Sequence, residues 1–116
     1  MAIATVIGAF GAHAFKSTWA ADRFEMLHTA VLYQFLHALG LLSVGIASTL
    51  RPVRSLRVAG GLLFAGVMLF SGSLYLLLAG APRVVGVLTP VGGACLIMGW
   101  SVAAVALWRE TGGSEP

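Results

Sequence analysis

Five polar side chains lie inside long apolar stretches of this chain, and their types and spacing could support chemistry. They are His37, Tyr33, Gln34, Ser71 and Tyr75. Tyr33 and His37 are four residues apart, so a helix would carry them on one face. A polar group left unpaired in apolar surroundings costs roughly 2–7 kcal/mol. We therefore expect these side chains to form one polar cluster between neighbouring helices.

Two kinds of chemistry fit such a cluster. The first is structural: hydrogen bonds between helices, each worth about 0.6–2 kcal/mol, would fix how the helices pack. The second is a small-ligand, solute or haem site built around His37, Tyr33 and Tyr75. The structural interpretation is favoured because no Asp or Glu lies inside an apolar stretch, where it could carry protons.

The other two histidines, His13 and His28, stand at the ends of apolar stretches, and we expect both of them, with Thr89, at the membrane interface. Haem needs iron ligands such as imidazole on facing helices. His28 and His37 are nine residues apart and so point to opposite sides of one helix.

The single cysteine, Cys95, excludes a site of several cysteines. We expect no metal and no cofactor.

The elements that must position these residues follow from the charge-free stretches. Val58 to Ala79 and Val84 to Trp108 contain no charged residue, and about 20 apolar residues cross the ~30 Å hydrocarbon core as a helix. The chain is 59% hydrophobic and 9% charged, against roughly 25% charged residues in soluble domains. These features predict an all-α membrane protein whose single domain, residues 1–116, is a compact bundle of four transmembrane helices. The spans are expected at about 1–17, 27–50, 58–79 and 86–108.

The first stretch, Ala2 to Phe15, is short for a span. Either the helix includes Met1 and tips into the interface, or the native start lies upstream. A cleaved signal peptide is an alternative, because Ala12-His13-Ala14 fits a small-x-small cleavage pattern. No positive residue precedes this stretch, which disfavours cleavage.

The basic residues predict the orientation. Arg51, Arg54 and Arg57 form the densest cluster, and four spans would place it on the same side as both termini. Positively charged loops favour the cytoplasm, so both termini are expected there. The basic residues form no helix face and do not alternate with aromatic residues, so we expect a lipid bilayer and no nucleic acid as partner.

Small residues are expected at the helix contacts. Lipid supplies little hydrophobic drive for helix association, so close packing depends on residues such as glycine. The first span offers Gly8 and Gly11, and the last offers Gly92 and Gly99, on stripes of small residues. We expect these four glycines to face other helices.

Several sequence motifs together resemble one known family. They are Gly8-Ala-Phe-Gly-Ala-His-Ala14, Thr29-Ala-Val-Leu-Tyr-Gln-Phe-Leu-His-Ala-Leu39, Leu69-Phe-Ser-Gly-Ser-Leu-Tyr-Leu76, Leu88-Thr-Pro-Val-Gly-Gly93 and Gly99-Trp100. The chain resembles the YgdD-like family of small multi-pass membrane proteins, a domain-of-unknown-function family with animal transmembrane relatives. The resemblance implies a bacterial inner-membrane location and four helices, and it implies no reaction. It adds Ser73, which we expect to bond the carbonyl of Leu69 on its own helix.

The sequence thus predicts a small polytopic inner-membrane protein that is not an enzyme. We expect an accessory or scaffold component, beside a larger membrane complex or in a homo-oligomer. The alternative is a protein that binds a small ligand, solute or haem around His37, Tyr33 and Tyr75.

Overall fold

Helices account for the fold in the computed structural model, which describes residues 1–14 and 20–112. The helices are α1 (Ala2–Ala14), α2 (Ala21–Leu50), α3 (Arg54–Leu78) and α4 (Leu88–Gly112), with a 3₁₀ turn at Arg83–Val87 before α4. No strand occurs in these two ranges. Three of the helices are long and apolar enough to cross a membrane: α2, α3, and α4 with its preceding 3₁₀ turn. The predicted all-α membrane fold is therefore confirmed.

Helix α1 is shorter than the other three. Its 13 residues correspond to about 20 Å of helix, against a hydrocarbon core of ~30 Å. The end of the span expected at 1–17, including Lys16, lies outside the described residues. Helix α1 packs on α2, where its small residues meet larger side chains: Gly11 faces Leu27, and Gly8 faces Val31.

Proline and glycine set the two turns that the structure describes. Arg51 is extended, with φ −135° and ψ 91°, because the following Pro52 disfavours the helical conformation there. Helix α3 is followed by a turn at Gly80, whose φ is 97°. Glycine adopts this left-handed conformation at little steric cost. The amide of Ala81 donates to the Leu76 carbonyl at 2.9 Å, and that of Gly80 donates to the Leu77 carbonyl at 3.1 Å. This pair of bonds is a Schellman motif, and it satisfies carbonyls that the helix end leaves open.

An arginine completes the end of α3. Arg23 Nη2, in the first turn of α2, donates to the Leu78 carbonyl oxygen at 2.7 Å. The last carbonyls of a helix lack partners and carry partial negative charge, so a cation stabilises them. This bond ties the beginning of α2 to the end of α3 and so fixes the relative height of the two helices.

The closest helix contact joins α3 and α4. A Cβ placed on Gly92 would lie 2.9 Å from the Gly66 carbonyl oxygen, and would be closer still to the Phe70 backbone nitrogen. A Cβ on Gly99 would lie 3.1 Å from the Leu63 backbone nitrogen. Real Cβ atoms essentially never come within 3.0 Å of backbone atoms, so the position of Gly92 requires glycine, whereas at Gly99 the Leu63 side chain would have to shift.

The buried core lies around this contact and extends to α2. It is built from aliphatic side chains of three helices: Val44, Ala59, Leu63, Val67, Leu96 and Ala103. Helix α3 is the central element, because it packs on α4 along one side and on α2 along the other. The outer faces are apolar and exposed; Ile97, for example, is 70% exposed. Such a surface suits lipid.

Candidate functional site

The five residues of the predicted polar cluster separate into two groups. Gln34, Ser71 and Tyr75 form the first group, at the contact between α2 and α3. The Tyr75 hydroxyl donates to Gln34 Oε1 at 2.6 Å, and the Ser71 hydroxyl donates to the Ala30 carbonyl oxygen at 2.9 Å. Both bonds join two helices, as the structural interpretation of the sequence requires.

His37 and Tyr33 form the second group. The expectation that His37, like the rest of the cluster, bonds a neighbouring helix is wrong. His37 is buried, at 8% exposure, but its hydrogen bond does not cross to another helix. Its Nδ1 lies 2.7 Å from the Tyr33 carbonyl oxygen, one turn back on α2. A helical side chain leans towards the preceding turn, which brings the ring within reach of that carbonyl. Since a carbonyl only accepts, Nδ1 carries the proton in this bond.

Aromatic rings surround this histidine. The Tyr33 ring stacks on the His37 ring at 5.7 Å between centroids and on the Phe70 ring at 4.4 Å. Trp100 of α4 lies with its ring centroid 6.1 Å from that of His37. His37 is therefore packed as part of an aromatic layer between α2, α3 and α4. Within the described residues, no hydrogen bond or ring contact joins His37 to Tyr75.

A third polar contact was not foreseen. Ser73, only 2% exposed, donates to the Phe70 carbonyl oxygen at 2.8 Å and not to Leu69 as expected. Its hydroxyl also lies 2.6 Å from that of Thr89 on α4. Thr89, expected at the interface, therefore takes part in a contact between α3 and α4. Ser71 and Ser73 are two residues apart and so point to nearly opposite sides of α3, a spacing that could have indicated contacts to two different helices.

The remaining predicted residues lie at the surface. His13 and His28 are exposed. Arg51, Arg54 and Arg57 are exposed as well, and Arg51 Nη1 lies 3.9 Å from Glu110 Oε2. Within the described ranges, no group of three or more His, Cys, Asp or Glu side chains could hold a metal ion.

A groove runs between α1 and α3, beside the first polar group. It has two compartments, of about 380 Å³ and 240 Å³, and both are lined by Ile7 and Tyr75. The larger compartment also includes Phe10 and Leu27 and is almost entirely apolar. Gln34 and Ser71 line the smaller one, together with Ile3, Val67, Met68 and Gly72. Gln34 and Tyr75 thus face both the helix contact and an open space.

The comparison with known proteins agrees with the membrane class of the fold. The family described as "Protein of unknown function (DUF423)" matches residues 7–93, which contain both polar groups and the Ser73–Thr89 contact. The chain belongs to this family. Its relatives are membrane proteins of bacteria, and no solved structure matches it.

Two of these relatives illustrate the extent of the similarity. The UPF0382 membrane protein YwdK of Bacillus subtilis is 41% identical over 105 residues, which cover 90% of this chain and 85% of the relative. The UPF0382 membrane protein SSP2132 of Staphylococcus saprophyticus is 38% identical over 109 residues, covering 94% and 88%. Nearly the whole chain therefore corresponds to nearly the whole of each relative.

The Ser73–Thr89 contact predicts an energetic coupling between α3 and α4. Ser73→Ala and Thr89→Val should each lower the free energy of unfolding in detergent, and the double variant should lose less than the sum, by about 0.6 kcal/mol. Ser101→Ala is the matched control, because the Ser101 hydroxyl bonds only the Ile97 carbonyl of its own helix at the exposed surface. Strictly additive losses in the double variant would contradict a bond between these hydroxyls.

Proposed function

We propose that this protein is a non-enzymatic accessory component of the bacterial inner membrane, acting as a scaffold beside a larger membrane complex or a second copy of itself. The observation that carries this proposal is how the interior polar groups are used. The hydroxyls of Ser71, Ser73 and Tyr75 each bond a group on a neighbouring helix, and His37 bonds its own helix. The three hydroxyls therefore join neighbouring helices.

The outer surface supports the same role. Large apolar side chains are exposed on every helix, among them Phe10 (71%), Leu42 (59%), Phe64 (57%) and Ile97 (70%). A surface of this kind faces lipid or the apolar helices of another membrane protein.

We further propose that the chain is related to the YgdD-like proteins and their animal relatives, because it carries the motifs described above.

Assembly in the native membrane tests the accessory role. Extracted directly into polymer nanodiscs at its natural abundance, the chain should be found by native mass spectrometry in a complex well above its own 12.0 kDa. Three separate substitutions, Gly45→Trp, Gly61→Trp and Ala104→Trp, each place a bulky side chain on the exposed face of a different helix. At Gly45 and Gly61, no atom lies within 4 Å of an added Cβ. We expect one of the three variants to release the complex with its melting temperature unchanged. A lone protomer in the wild type would contradict the proposal.

For the orientation, we propose that both termini face the cytoplasm. The cluster of Arg51, Arg54 and Arg57 motivates it, and the Arg51–Glu110 contact supports placing this loop and the end of α4 on one side. Reporter fusions after Arg57 and at the C-terminus should both give cytoplasmic signals. A periplasmic signal from either fusion would reverse the orientation.

A further inference from the structure

The Gln34–Tyr75 pair retains unused hydrogen-bond donors. Tyr75 donates to Gln34 Oε1, and the two N–H groups of the Gln34 amide have no acceptor among the residues that the structure describes. If the amide is turned over, one N–H donates to the tyrosine oxygen, and the other N–H and the Tyr75 O–H remain. Two donor hydrogens are therefore left in either orientation, and both residues line the groove.

The depth of this pair restricts what can accept from it. We take the middle of the spans expected at 27–50 and 58–79 as the bilayer centre. At 1.5 Å of rise per residue, Gln34 then lies roughly 7 Å and Tyr75 roughly 10 Å from the midplane. The ester carbonyls of phospholipids lie near the edge of the hydrocarbon core, about 15 Å from the midplane. Unpaired donors at the depth of Gln34 are costly. An acceptor must therefore come from a molecule that is itself dissolved in the hydrocarbon.

The shape of the groove restricts the molecule further. Its lining extends along α3 from Val67 to Ala79, about 18 Å of helix, and Tyr75 stands where the two compartments meet. Their volumes of 380 Å³ and 240 Å³ together suit a small organic ligand, for which pockets of roughly 300–1,000 Å³ are usual. The apolar compartment towards Phe10 and Leu27 suits a hydrocarbon tail, and the pair suits an uncharged head group that only accepts hydrogen bonds.

We propose that the groove between α1 and α3 binds a lipid-soluble quinone, with a ring carbonyl accepting from the Gln34–Tyr75 pair and the tail in the apolar compartment. A quinone is uncharged, carries acceptors and no donors, and resides within the hydrocarbon. This inference goes beyond the accessory role and does not depend on it. It concerns binding alone and assigns no redox step to the protein.

Two glycines of α3 provide a blocking variant and its control. An added Cβ at Gly72 or at Gly61 meets no atom within 4 Å, so the first side-chain atom fits at either position. Gly72 lines the smaller compartment, whereas Gly61 is exposed and does not line the groove. Gly72→Leu should fill the groove, and Gly61→Leu should not.

The test measures equilibrium partitioning of a decyl-substituted 1,4-benzoquinone between protein-containing and empty phosphatidylethanolamine–phosphatidylglycerol nanodiscs. Decylbenzene, which has the same tail and no carbonyl, is the matched probe. The wild type should retain the quinone saturably and about fivefold to tenfold more tightly than decylbenzene, the range that one net hydrogen bond supplies. The double variant Gln34→Leu/Tyr75→Phe, which removes every donor of the pair, should remove this preference. Gly72→Leu should abolish retention of both probes, and Gly61→Leu should behave as wild type.

Each opposite result overturns the proposal. Equal retention of the quinone and decylbenzene by the wild type would leave a groove for hydrocarbon chains only. A preference that survives in Gln34→Leu/Tyr75→Phe would place the carbonyl elsewhere, and retention that survives in Gly72→Leu would place the ligand outside the groove. Melting temperatures of all three variants, measured in the same nanodiscs, verify that each is folded.

Discussion

The backbones of α3 and α4 come into contact because glycines remove the side chains that would separate them. At Gly92 the two chains are so close that a single Cβ would overlap the backbone of Phe70. In a membrane, lipid tails are as apolar as the helix surface, so association depends on close packing and on hydrogen bonds between helices. Close approach provides the first of these, and it also brings the hydroxyls of Ser73 and Thr89 to 2.6 Å.

The other helices are arranged around this pair. Helix α2 is held on the opposite side of α3 by the Ser71 and Tyr75 hydrogen bonds within the contact and by the Arg23 hydrogen bond at the end of α3. Helix α1 is the peripheral element, since its packing is mainly on α2 and the groove separates much of it from α3. The same arrangement explains why Gln34 and Tyr75 are only partly enclosed: they bond each other across one contact and face an open space on the other side.

The sequence predicted the helices well and the side-chain partners incompletely. Charge-free stretches, Pro52 and the Gly80 turn mark the helix ends, because these features act locally. The four packing glycines were chosen from stripes of small residues, and each of them faces a neighbouring helix. The partner of His37 could not be predicted, because a backbone carbonyl one turn back competes with every side chain across the contact. Likewise, the Trp100 ring against Gly40 depends on how α4 is rotated, which the sequence pattern does not determine.

The melting temperature of Gly92→Ala in mild detergent, compared with that of Gly61→Ala, tests the dependence on close approach most directly. Both variants add one methyl group to a helical glycine, and alanine is the better helix former by about 1 kcal/mol. At Gly61 no atom lies within 4 Å of the new Cβ, whereas at Gly92 it meets backbone atoms that cannot move aside. We predict a melting temperature that is unchanged or raised for Gly61→Ala and clearly lowered for Gly92→Ala, since overpacking costs about 1–3 kcal/mol. Equal melting of the two variants would contradict a backbone contact between α3 and α4.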